Sequence, residues 1–281
     1  MNIINAYLTK NPCYQANVNK QDSRYTVFQE RGPVGLMLHS VGCNQPSAEV
    51  FVNNWNKESY DRACVHAFID ANTGDVWQTL PWNFRGWHCG SGSAGSANNT
   101  HVGAEMCESR YINYINGYQF TVSNTELAKA DAKRAYDSAV QLFAYLCNLY
   151  NLDPNTAIIS HKEGAAAHIA SDHGDPEHYW KGLGMPYTMK GFRADVKAAM
   201  GDHPEPQPEP TPGGGGYLGF PDVSEDDWFA DALKWAVDKN IILASGKPFY
   251  PDKALDKATF VVLLRRAYNA LYRDLLDQSG S

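Results

Sequence analysis

The chain has 281 residues, more than one ordinary domain needs and enough for an enzyme-sized unit with a smaller module beside it. Its 24 basic and 31 acidic residues leave a formal charge of -7, which excludes the basic stripe that a nucleic-acid backbone requires. No apolar run reaches the ~18 residues of a membrane span, and the opening segment MNIINAYLTKNP has neither a charged n-region nor an apolar h-region, so neither a membrane partner nor a Sec signal is expected.

In chain order, Gly35-Leu-Met-Leu-His39 is a short apolar run that predicts a buried strand with His39 at its carboxyl end. Val65 to Asp70 and Asp75 to Leu80 read as two strands of a hairpin, joined by a turn containing Asn72, Thr73 and Gly74. His101 to Met106 alternates, which sets Val102, Ala104 and Met106 on one face and His101, Gly103 and Glu105 on the other. Ser123-Asn-Thr-Glu126 has capping-box spacing. Tyr136, Val140, Phe143 and Cys147 follow at helical steps, so an amphipathic helix is predicted to about Tyr150. Ala157 to Ser160 predicts another short strand, which delivers His161, and the segment from His161 to Pro176 reads as a loop. Strands mixed with long helices indicate an α/β domain built on a central sheet.

Asp202-His-Pro-Glu-Pro-Gln-Pro-Glu-Pro-Thr-Pro, followed by Gly213 to Gly216, joins an extended proline-rich stretch to a flexible tether that no packed core can contain. The expected organisation is therefore a catalytic domain at 1–200, a linker at 201–216 and a small helical module at 217–281. Six cysteines without a CxxC pair are too few for a disulfide scaffold. They read as free thiols in or near a core, with one or two disulfides as the alternative if the protein matures outside a cell.

His39 and His161 each directly follow an apolar strand, at sheet edges where loops gather and sites form. Such a pair can share a metal. Catalytic zinc takes three protein ligands from His, Cys, Asp or Glu and keeps a fourth position for water, a rule that His39, His161 and Asp175 satisfy. Singly, each has a plainer reading as a hydrogen-bonded structural histidine or an Asp-Pro turn, so the expectation rests on the joint pattern.

From about Pro33 to Trp180, the order of Leu38-His39-Ser40, Val65 to Asp70, Gly74-x-Val-x-Gln, Arg85-x-Trp87-His88-x-Gly90, Asn99-Thr100-x-x-Gly103-x-Glu105, His161 and Asp175-Pro176 resembles the amidase-2 family of N-acetylmuramoyl-L-alanine amidases. That family includes T7 lysozyme and the peptidoglycan recognition proteins. The resemblance implies a central mixed β-sheet flanked by helices, with Zn2+ in an open groove held by His39, His161 and Asp175. It places Glu105 as the acidic catalytic residue and peptidoglycan as the substrate. In such a site zinc acidifies its water to a pKa of about 7 and polarises the carbonyl. Glu105 would then move the proton to the leaving nitrogen. Many relatives have a lysine two positions before the third ligand, where this chain has His173. A histidinium there donates the same hydrogen bond to the oxyanion, though only while protonated; alternatively His173 ligates zinc and Asp175 orients it. Trp87 and His88 lie in the segment that borders the family's groove, and read either as substrate contacts or as packing beneath a glycine-rich loop.

Past the linker, Phe220-Pro-Asp-Val223, Trp228, Ala232 to Ala236, Ile241-Ile242, Phe249 to Asp252, Phe260 and Leu263-Leu264 resemble one S-layer homology module. That resemblance implies two apolar-faced helices that bind a secondary cell-wall polymer. The module's usual turn has become Asn240 to Gly246, and its Thr-Arg-Ala-Glu has become Leu255 to Thr259. Only one copy is present, so a homo-oligomer through Trp228, Trp235, Phe260, Leu264 and Leu271 is expected to cover the apolar faces that sister modules cover elsewhere. The rival readings are a non-catalytic peptidoglycan-recognition protein and an intracellular amidase that recycles wall fragments. Three competent ligands favour catalysis, and a wall-binding tail without a Sec signal fits a lysin released by holin pores or lysis.

Overall fold

The computed structural model describes residues 2–200, 217–220, 222–227, 229–239, 241, 242, 249 and 260–268. The chain divides into two compact units, Met1–His203 and Pro204–Ser281. The expected linker at 201–216, Trp228, Asn240, residues 243–246, residues 255–259 and Leu271 lie outside the described residues.

The first unit opens with β1 (Ile3–Asn5), α1 (Pro12–Val18) and α2 (Ser23–Arg31), and the two helices are capped by the side chains of Asn11 and Asp22. Next come β2 (Gly35–Ser40), α3 (Ala48–Trp55), the hairpin strands β3 (Ala67–Ile69) and β4 (Val76–Gln78), a 3-10 turn at Ala97–Asn99 and β5 (His101–Met106). A separate small hairpin, β6 (Ile112–Tyr114) with β7 (Phe120–Val122), leads into the long α4 (Thr125–Tyr150). After it come α5 (Pro154–Ala157), β8 (Ile158–Ser160), α6 (His161–Ala166), α7 (Glu177–Gly182) and α8 (Met189–Ala199).

Six strands form one mixed sheet in the order β1-β4-β3-β5-β2-β8, in which only the β3–β4 pairing is antiparallel. The architecture is the expected α/β one, a central sheet flanked by helices. Every residue of β2 is buried, as a continuous apolar run in a parallel sheet covered on both faces should be. Ala128, Ala132, Ala135 and Ala139 keep one side of α4 small, while Leu142, Phe143 and Leu146 add bulk to the same core. Phe192 of α8 packs edge-on against Phe143, with ring centroids 5.2 Å apart.

Three local expectations need correction. The N-cap of α4 is Asn124, whose side chain accepts from Leu127 N, and not Ser123. Ser123 is already engaged, because its N–H and hydroxyl both bond Tyr111 O beside the small hairpin. The segment after β8 is not all loop: Ser160 and Glu163 form a capping box that starts α6 at His161. The strand before it starts at Ile158 because Asp153 caps the short α5, which takes up Ala157.

In the second unit, α9 (Ala230–Asp238) and residues 260–268 are helical. Phe220, Val223 and Leu233 form a small core, with Phe249 edge-on to Phe220 at 5.4 Å and stacked on Phe229 at 5.7 Å. All six cysteines are free thiols, and all but Cys43 are buried.

Candidate active site

The sheet register assembles the site. Leu38 of β2 pairs with Ser160 of β8, so one step further along these parallel strands His39 comes beside His161. On the other side of β2, His39 pairs with Glu105 of β5. Residues in register on adjacent strands share a face. One level at the carboxyl ends of three neighbouring parallel strands thus carries Glu105, His39 and His161, where open α/β sheets place their ligands. The chain after α6 returns Asp175 to the same point.

His39 Nδ1 lies 3.1 Å from His161 Nδ1 and 3.2 Å from Asp175 Oδ2, and His161 Nδ1 lies 3.4 Å from Asp175 Oδ1. All three side chains are buried. Burial pushes the His39 imidazole down, although the neighbouring Asp175 carboxylate pulls the other way. Burial also works to raise the Asp175 carboxyl, but the nearness of the His161 and His39 rings outweighs this and holds it far below the usual range. Two ring nitrogens and a carboxylate therefore converge with more lone pairs than protons, an arrangement that a cation relieves. Tetrahedral zinc with bonds of about 2.0–2.1 Å needs ligand atoms about 3.3 Å apart. The donor set fits zinc in both chemistry and spacing.

Glu105 is half-buried, and its Oε2 is enclosed without a protein partner among the described residues. Burial, and after it the charges of Asp175 and Glu108, raises its carboxyl well above the usual range. His173 is exposed at the rim, with its ring stacked on His161 at 4.4 Å and its Nδ1 3.1 Å from Ser171 Oγ. It borders an open cavity of 660 Å³ lined also by Tyr118, Phe120, Lys162, Glu177 and His178.

Trp87 and His88 do not line that cavity. Trp87 donates from Nε1 to Tyr25 Oη at 3.0 Å and packs on the cluster of Leu8, Cys13, Cys64 and Leu80. His88, only 8% exposed, sits behind His39 with its Nδ1 3.0 Å from His39 Nε2. Sequence reasoning missed three features. Ser171 bonds both His161 and His173. The fully buried Glu108 accepts from the Tyr114 hydroxyl at 2.7 Å, and that hydroxyl in turn lies 2.8 Å from His178 Nε2, although His178 reads from sequence as structural. The third is the β6–β7 hairpin, which brings Tyr118 to the cavity; the dipeptide Asn116-Gly117 at its tip is a hairpin signal in the sequence.

The family model for N-acetylmuramoyl-L-alanine amidase matches residues 29–178, more than half of the chain, and the S-layer homology domain model matches residues 219–261. No curated protein matches the chain. Among solved structures, Staphylococcus aureus hydrolase AmiA in complex with its ligand shares 17% identity at a TM-score of 0.46, over 60% of this chain and 74% of that one. The catalytic domain of XlyA shares 18% at 0.46 over 70% and 99%, and that of PlyG shares 20% at 0.46 over 73% and 99%. Membership of a family rests here on the sequence match alone.

Proposed function

The chain belongs to the N-acetylmuramoyl-L-alanine amidase family, and from that premise we propose that it hydrolyses the amide between N-acetylmuramic acid and L-alanine in peptidoglycan, using zinc held by His39, His161 and Asp175. The observation that carries this reading is the convergence of His39 Nδ1 and His161 Nδ1, 3.1 Å apart, on the two Asp175 oxygens at 3.2 and 3.4 Å, beside Glu105, whose Oε2 has no protein partner among the described residues. A non-catalytic recognition protein would not need that set intact.

Bound there, zinc supplies a Lewis acid that acidifies water and polarises the scissile carbonyl. Glu105 Oε2 accepts the proton of the attacking water and passes it to the leaving amine nitrogen. Burial raises its carboxyl above the usual range, which favours holding a proton between taking it and giving it up. His173, at the open rim, donates to the oxyanion that develops on the carbonyl. The 660 Å³ cavity beside it receives the substrate. His88, buried behind His39, takes no part in substrate contact.

Residues 1–200 form the catalytic domain in this reading, 201–216 the tether, and 217–281 a module that holds the enzyme on a secondary cell-wall polymer. Trp235, Phe260, Leu264 and Tyr268 are all at least 40% exposed. Another copy of the module covers this apolar surface, giving a homo-oligomer. Among the described residues no helix is long and apolar enough to cross a membrane. The amidase and S-layer homology matches support the cell wall as the site of action. Digestion of purified walls tests the activity: new amino-terminal L-alanine without new reducing sugars is expected, and new reducing ends would refute it.

A further inference from the structure

The outer nitrogens of the two histidine ligands are as constrained as the inner ones. His101 C=O can only accept, so His88 Nε2, 3.1 Å away, carries a proton. Neutral His88 therefore turns an unprotonated Nδ1 toward His39 Nε2 at 3.0 Å, and that nitrogen must donate. The proton of His39 is thereby fixed on Nε2, and its Nδ1 faces His161 and Asp175 as a lone pair. His88 is buried, which disfavours the charged form that would break this order.

His161 is held in the same way. Cys89 C=O accepts the Ser171 hydroxyl at 3.1 Å, so Ser171 Oγ, its one proton used, accepts from His161 Nε2 at 3.3 Å and from His173 Nδ1 at 3.1 Å. His161 Nδ1 is then also a lone pair directed at the shared point. Both arms thus pass through the consecutive residues His88 and Cys89. Asn98 Oδ1 fixes that segment by accepting from His88 N at 2.8 Å and Cys89 N at 3.2 Å. A Cβ at position 103 would collide with His88 Cγ, so glycine there leaves room for the ring.

We propose that His88 and Ser171 are positioning residues that fix the tautomers of His39 and His161, so that each presents an unprotonated Nδ1 to the metal ion. The inference rests on the zinc site proposed above. It reassigns the Arg85-x-Trp87-His88-x-Gly90 segment from the substrate groove to the frame of the metal centre.

The test is zinc affinity of the full chain, stripped of metal and titrated against a chromophoric chelator, together with 15N imidazole NMR of the metal-free wild type. His88→Leu and Ser171→Ala should each weaken zinc by about 10- to 100-fold, the usual effect of losing a ligand's outer partner. His88→Asn puts Oδ1 near the place of Nδ1, keeps an acceptor for His39, and should stay within about five-fold of wild type. The NMR spectra should show the protons of His39 and His161 on Nε2. Zinc binding by His88→Leu equal to wild type overturns the proposal. So does equal weakening in His88→Leu and His88→Asn, which would make His88 a space-filler. A proton on His39 Nδ1 overturns it even if every variant misfolds. A wild-type chain that takes up no zinc refutes the metal reading itself and the relay with it, whereas a wild type that binds zinc while the variants match it refutes the relay alone.

Discussion

Glu105 and Glu108 lie at and just past the end of β5, and burial raises both carboxyls, that of Glu108 to about 7 against the opposing hydrogen bond from Tyr114. Their neighbours separate their roles. Glu108 is fully buried and has its partners, while Glu105 Oε2 has none among the described residues. Glu105→Gln should therefore cut turnover by about 100-fold or more and leave bound zinc unchanged; turnover within a few-fold of wild type would remove Glu105 from the mechanism. His39→Ala or His161→Ala should abolish zinc binding and activity together, and full zinc stoichiometry in both would refute the ligand assignment. Glu108 makes a separate prediction about stability. Its folded value of about 7 lies above the ordinary 4.5, so between those values the native state holds a proton that the unfolded chain has lost. The unfolding free energy then falls as pH rises through that window, by up to about 3 kcal/mol. Thermal unfolding of the zinc-loaded chain should thus decline from pH 5 to pH 8 more steeply in wild type than in Glu108→Gln. Parallel declines would contradict this.

At the scale of elements, the strands carrying the site were legible because each is a short apolar run ending at a functional residue: Leu36 to His39, Val102 to Glu105 and Ile158 to His161. Their order in the sheet was not, since strand adjacency is a long-range property that no local pattern encodes. Without the register, His39 and Glu105 are only two residues far apart in sequence. The same limit explains His88. Its partner His39 is 49 positions away, and nothing around Trp87 signals which of two neighbouring aromatics turns inward. The cap of α4 shifted by one residue because a tertiary contact, Ser123 with Tyr111, took the predicted cap. Gly103 tests the account at this scale. Gly103→Ala forces a methyl group against His88, so it should destabilise the catalytic unit by about 1–3 kcal/mol and loosen zinc as well. Wild-type stability and zinc affinity in that variant would show that the packing of β5 against His88 is slack.

The whole molecule is read as a wall-cutting unit tethered to a wall-holding one. Composition alone marks the expected tether, and the chain divides into two compact units, Met1–His203 and Pro204–Ser281. The second unit is small for an independent core, and the apolar surface at Trp235, Phe260 and Leu264 motivates association between chains. Joined copies would place several catalytic domains on one wall surface and gain avidity. Light scattering should give a mass above the monomer for the full chain and a monomer for a version ending at Met200; monomeric masses for both would rule out the oligomer. The central claim is the metal centre, and the most direct measurement is an anomalous difference map at the zinc edge from crystals of the full chain grown with zinc. One strong peak is expected, bounded by His39 Nδ1, His161 Nδ1 and the Asp175 carboxylate, with His173 outside the ligand shell. A peak coordinated by His173 in place of Asp175, or no peak between the two histidines, would contradict it.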